Sequence, residues 1–108
     1  MLSTFIMLLF CHALADSPLQ GDFLSKAKNR LAPIPGVPWW QAMSAHVMIH
    51  SGLVFMVTGS ALLATGEFIV HFLTDDAKCR GKLTFDQDQA IHVLCKLVYA
   101  GVLTYGAI

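Results

Sequence analysis

Histidine is the residue type here best suited to chemistry, and the 108 residues contain five. His46 and His50 are four residues apart and share one face of a helix. His50 and His71 are three heptads apart, which places them on one stripe but about 31 Å apart along a straight helix axis. On that geometry no single cofactor lies between them. A bis-histidine haem takes one ligand from each of two helices at matching depth. In an antiparallel hairpin His92 matches His71 in depth, not His50. His46, His50 and His92 are thus the candidate cofactor-facing histidines, against a plainer role as amphipathic anchors near the ends of membrane spans.

Two charges fall inside apolar segments, and intramembrane charge is a default functional candidate. Glu67 stands four residues before His71, close enough to hydrogen-bond across one helical turn, and Lys96 lies near enough to its span end to snorkel. A structural Glu67–Lys96 pair across the hairpin is the expectation, ahead of a proton relay. Cys11, Cys79 and Cys95 form no C-x-x-C pair, and no phosphate loop, H-E-x-x-H or serine elbow occurs. Catalysis is not expected.

The elements that must position these residues are apolar. Hydrophobic residues make up 56% of the chain and charged residues 13%, with zero net charge and a mean hydropathy of +0.61. That balance is too apolar for an ordinary soluble domain and leaves no basic footprint for nucleic acid. Residues 42–66 carry no Asp, Glu, Lys or Arg, and the apolar character runs on to residue 73. This stretch is long enough to cross a bilayer, behind a proline-rich entrance and the paired Trp39 and Trp40. Residues 90–108 form a second span with Lys96 as its one charge, and residues 74–89 a polar loop in which Thr84, Asp86 and Asp88 offer helix caps. The expected fold is an all-α membrane protein, a two-transmembrane helical hairpin.

The arm before it, residues 1–41, holds an apolar run and then an amphipathic segment. The run ends in Ala13-Leu14-Ala15 like a secretory signal, but no Lys or Arg stands ahead of it. It reads as an interfacial or partner-buried helix, with a retained signal anchor as the alternative. Residues 16–31, with Phe23, Leu24, Ala27 and Leu31 at helical spacing beside Lys26, Lys28 and Arg30, suggest a short helix lying on the membrane. The basic residues, three on each side, set no orientation.

Along the first span, Ser44-Ala45, Ser51-Gly52, Thr58-Gly59 and Thr65-Gly66 recur every seven residues. Small residues let membrane helices approach closely, so this heptad predicts a packing seam for the second span or for another chain.

The segments Ile49-His50-Ser51-Gly52 and Ile91-His92, with Lys96 and Tyr105 following, resemble the first two membrane helices of the cytochrome b large anchor subunit of succinate dehydrogenase. The resemblance covers roughly residues 44–106 and rests on short motifs. Ser51 stands where that family carries an arginine that helps bind quinone. The family's haem-ligand histidine beyond the tyrosine, and its third helix, have no counterpart up to Ile108. The resemblance implies a reduced anchor that has lost haem ligation, and it adds Ser51 to the candidate residues and quinone to the candidate ligands.

The functional expectation is a small, non-catalytic structural subunit of an energy-converting membrane complex. The mitochondrial inner membrane and its respiratory chain are the leading setting, and a photosystem in the thylakoid is the alternative. Its partners would be other membrane subunits and lipid, with any quinone or haem held by neighbouring chains.

Overall fold

Pro38 opens the first long helix, since its fixed φ suits a helix start and its missing N–H removes one orphan donor. The computed structural model describes residues 1–106, in which five helices and no strand occur. They are α1 (Leu2–Asp16), α2 (Gly21–Ala27), α3 (Trp39–Thr58), α4 (Ala61–Cys79) and α5 (Phe85–Thr104). The all-α expectation holds at this level.

The expected single helix over residues 42–73 is two helices. Gly59 takes a left-handed conformation, φ 69°, and its N–H donates to the Phe55 carbonyl, ending α3. Ser60 then starts α4, its side chain accepting from the Leu63 N–H at 3.1 Å. A helix C-cap glycine followed at once by an N-cap serine folds the chain back on itself. The fold is confirmed across the hairpin by Ser51 Oγ, which donates to the Ala64 carbonyl at 2.6 Å.

Gly59→Ala is therefore expected to destabilise the fold by about 1–2 kcal/mol, the cost of a Cβ in the left-handed region. Nothing lies within 4 Å of the added atom, so no packing clash adds to it. Denaturant unfolding measures the loss, and an unchanged midpoint would mean that the turn is not held by this glycine.

The same break removes the continuous heptad seam. Thr58 ends α3 and Gly59 caps it, and a Cβ built on Gly52, Gly59 or Gly66 meets nothing within 4 Å. Among the described residues those glycines hold no close helix contact. Of the eight seam positions (Ser44, Ala45, Ser51, Gly52, Thr58, Gly59, Thr65, Gly66), Ser51 is the one whose side chain bonds α3 to α4. Thr58 and Thr65 donate to carbonyls four residues back in their own helices.

Helix α5 starts five residues earlier than expected, with a capping box in which Thr84 Oγ1 accepts from the Gln87 N–H and Gln87 Oε1 from the Thr84 N–H. Residues 107 and 108, the end of the expected second span, lie outside the described residues.

Helices α1, α3, α4 and α5 form a four-helix bundle 46 Å long, in which α1 packs on α3 and α5, and α4 packs on the same two from the other side. Leu8 meets Val54 and Tyr99, while Asp16 meets His46, His50 and Gln89. Neighbouring helices therefore run antiparallel. The apolar N-terminal run is thus a bundle helix and not an interfacial arm. The expected amphipathic helix over residues 16–31 shortens to α2; Lys26 stays exposed, while Lys28 and Arg30, just beyond the helix, turn to carboxylates of α4. Lys28 Nζ donates to Asp75 at 2.7 Å, and Arg30 makes two bonds to Asp76 while covering the Trp39 ring at 4.1 Å.

No single helix of the described residues is long and apolar enough to cross a membrane; α1 and α2 meet that requirement only as a pair bent by 82°. The bundle nevertheless wears apolar side chains outside and polar ones inside. One apolar layer, Leu8, Val54, Leu63, Tyr99 and Ala100, closes the end near the α3–α4 turn. Outside, Met56 is 79% exposed and Leu2 69%.

Candidate metal centre

Each bundle helix carries polar residues at i and i+4, which fall on one face 40° apart. The pairs are His12 and Asp16 on α1 and His46 and His50 on α3. Three residues continue the pattern on α4 (Glu67, His71, Asp75) and three on α5 (Asp88, His92, Lys96). All four stripes face the bundle axis. Four helices then place five imidazoles in one cluster, with ring centroids 3.8 Å apart for His50–His71, 4.0 Å for His71–His92 and 4.8 Å for His46–His50. His12 lies 5.0 Å from His50 and 5.1 Å from His92.

This overturns the 31 Å separation, which holds only for a straight helix. It also overturns the reading of the histidines as anchors near span ends, because His46, His50, His71 and His92 are all buried.

The carboxylates divide by the company they keep. Glu67 accepts from Lys96 Nζ at 2.6 Å and from the Tyr99 hydroxyl at 3.0 Å. Lys96 is 1% exposed, so it does not snorkel; its ammonium group stays in the bundle interior. Asp75 holds Lys28 and lies 3.3 Å from Lys78, and Asp76 lies between Arg30 and Arg80. Asp16 differs. Its Oδ1 is 2.8 Å from His50 Nε2 and 3.4 Å from His46 Nε2, and its Oδ2 is 3.2 Å from His12 Nε2. A Gln89 amide N–H donates to it as well, but no lysine or arginine pairs with it among the described residues.

Asp16, His46, His50 and His71 each offer one donor atom, and the four atoms lie within 4.8 Å of one another. A tetrahedral site with bonds of about 2.0–2.1 Å has donor atoms roughly 3.3 Å apart, so small side-chain movements would close this set on an ion. His46 Nε2 and His71 Nε2 are buried and have no hydrogen-bond partner. His46 Nε2 does stand 3.1 Å from Asp75 Oδ2, but at an angle unsuited to a hydrogen bond. A buried unpaired polar atom costs about 1–3 kcal/mol, which ligation would remove.

The outer shell is also in place. His71 Nδ1–H donates to Glu67 Oε2 at 3.2 Å, which leaves the Nε2 lone pair for a metal. Lys96 and Tyr99 in turn fix Glu67. Three imidazoles and one carboxylate suit zinc, copper, cobalt, nickel or ferrous iron better than calcium or magnesium.

Of the residues singled out from sequence, His46, His50 and His92 come together here. Ser51 does not, because its hydroxyl is used between α3 and α4. Haem does not fit: a porphyrin holds two imidazoles on opposite faces, and rings in contact at 3.8 and 4.0 Å leave no slot for it. Sequence reasoning missed Asp16 and His12 and set His71 apart from His50. The available signal was the i, i+4 spacing of His, Asp and Glu within each apolar segment. No family model, curated protein or solved structure matches the chain.

Proposed function

We propose that the chain is a metal-binding helical bundle that holds one first-row transition-metal ion through Asp16, His46, His50 and His71. The observation that carries this reading is the convergence of four donor atoms within 4.8 Å, with two ring nitrogens unpartnered, around a carboxylate that pairs with no lysine or arginine among the described residues. The purified full chain is expected to take up one equivalent of Co(II), with the intense visible bands of a low-symmetry nitrogen–oxygen site. Stoichiometric uptake failing for Co(II), Zn(II) and Cu(II) alike would overturn the reading. Protons compete with metal for imidazole, so binding is expected to weaken in acid.

A second observation concerns the setting. Large apolar side chains on α1, α3, α4 and α5 face outward, among them Ile6, Phe10, Met56, Leu62, Leu73 and Leu94. So many exposed large apolar side chains on a small bundle mark a surface made to be covered. It supports a subunit enclosed by lipid and by other membrane subunits, as composition leads one to expect. The inward polar stripes account for the modest hydropathy of each helix, since His, Asp, Glu and Lys count against a helix whichever way they face.

A further inference from the structure

We propose that the metal keeps one coordination position open toward a polar pocket and takes there a small monoanion from solution; this inference rests on the metal-binding reading above. The four donors are unevenly covered. His46, His50 and His71 are 0–2% exposed, whereas the Asp16 side chain is 23% exposed. The way in is therefore at Asp16. Asp16 and His12 line a pocket of about 520 Å³ whose other walls include Gln20, Ser25, Lys28 and Lys78.

Two further cavities lie elsewhere. One is apolar between α1 and α3, and one lies along α4 and α5 beside Tyr99; neither touches a donor residue. The polar pocket is the one that meets the centre.

Charge decides what the pocket takes. Counting the inward stripes and the lysines that pair with them, and leaving aside Asp76 with its own Arg30 and Arg80, there are four carboxylates, Asp16, Glu67, Asp75 and Asp88, and three ammonium groups, Lys28, Lys78 and Lys96. With neutral imidazoles the balance is one negative charge. A divalent metal turns it to one positive charge, and a bound monoanion returns it to zero. Uncompensated charge is costly in a buried site, so the third state is favoured. Lys28 and Lys78, on the pocket walls, add attraction for an anion. With four protein donors the open position is a fifth one, a coordination number that catalytic zinc sites reach.

Azide added to the Co(II)-loaded full chain tests this. The expected result is a saturable, one-to-one change of the visible spectrum, with bands losing intensity as the site becomes five-coordinate. Ser25→Trp, which places an indole in the pocket away from the donors, is expected to weaken the azide response about tenfold or more while Co(II) loading stays intact. Normal Co(II) loading with a spectrum indifferent to azide would overturn the open position and leave the metal reading standing. An undiminished azide response in Ser25→Trp would place the open position elsewhere and overturn the pocket assignment. Failure of Co(II) to bind at all would sink the metal reading, and this one with it.

Discussion

His50→Ala is expected to weaken metal binding by about 100-fold or more, whereas His92→Ala is expected to keep it within about tenfold, near the low end of what outer-shell changes cost. His50 sits at the middle of the cluster, with its ring against His12, His46 and His71 and its Nε2 at 2.8 Å from Asp16. Its loss removes a donor and also the partner that aims Asp16. His92 is equally buried, but it stacks on the back of His71 and bonds to Asp88, outside the donor set. The contrast separates ligation from bulk: both variants delete a buried imidazole, so a general loss of packing would affect them alike. Competition against a chromogenic chelator measures both affinities. Equal losses in the two variants would mean that the donor set is wrong.

Lys96→Met is expected to destabilise the fold by about 3–5 kcal/mol, the usual cost of stranding one member of a buried ion pair. Glu67 and Lys96 are each 1% exposed and 2.6 Å apart, so neither can turn to solvent when the other is removed. Tyr99 and His71 still donate to Glu67, but two neutral hydrogen bonds do not compensate a buried carboxylate. The double variant Glu67→Gln/Lys96→Met removes both charges and is expected to recover most of the loss, because a neutral pair carries no stranded charge. Denaturant unfolding of the parent, the two single variants Glu67→Gln and Lys96→Met, and the double variant closes the cycle. A single variant within about 1 kcal/mol of the parent would show that the pair is hydrated and not buried.

Local signals in the chain were legible, and long-range ones were not. Thr84 was legible as one of three cap candidates, because a cap works through bonds within one turn, although the start expected at residue 90 lies five residues late. The Glu67–His71 contact followed from spacing alone. Gly59-Ser60 was misread for a physical reason. A turn between two membrane-like helices needs no charged or proline-rich loop when glycine supplies the left-handed step and serine the next cap, so hydropathy runs through it unbroken. Once the helix was taken as straight, three glycines at seven-residue intervals looked like a seam, and His50 and His71 looked remote.

The N-terminal run hid its chemistry in the same way. His12 and Asp16 are the two polar members of an apolar face, and which neighbours they meet depends on how four helices are arranged. That arrangement is not a property of any one window of sequence. The i, i+4 stripes could have been read, because every one of the four apolar segments contains one.

The bonds that fix α1 span long stretches of chain. His12 meets Gln89 across 77 positions, and Asp16 meets His50 across 34. By contrast, α3 and α4 meet through a turn of two residues. Contacts between segments close in sequence form at lower loop-closure cost and earlier than those that join distant ones. The hairpin that carries His46, His50 and His71 can thus form while the first helix is still undocked. The carboxylate of Asp16, made first on the ribosome, is the last donor to reach its place, and the chain must be extended through Gln89 before the helix that carries it has both of its neighbours.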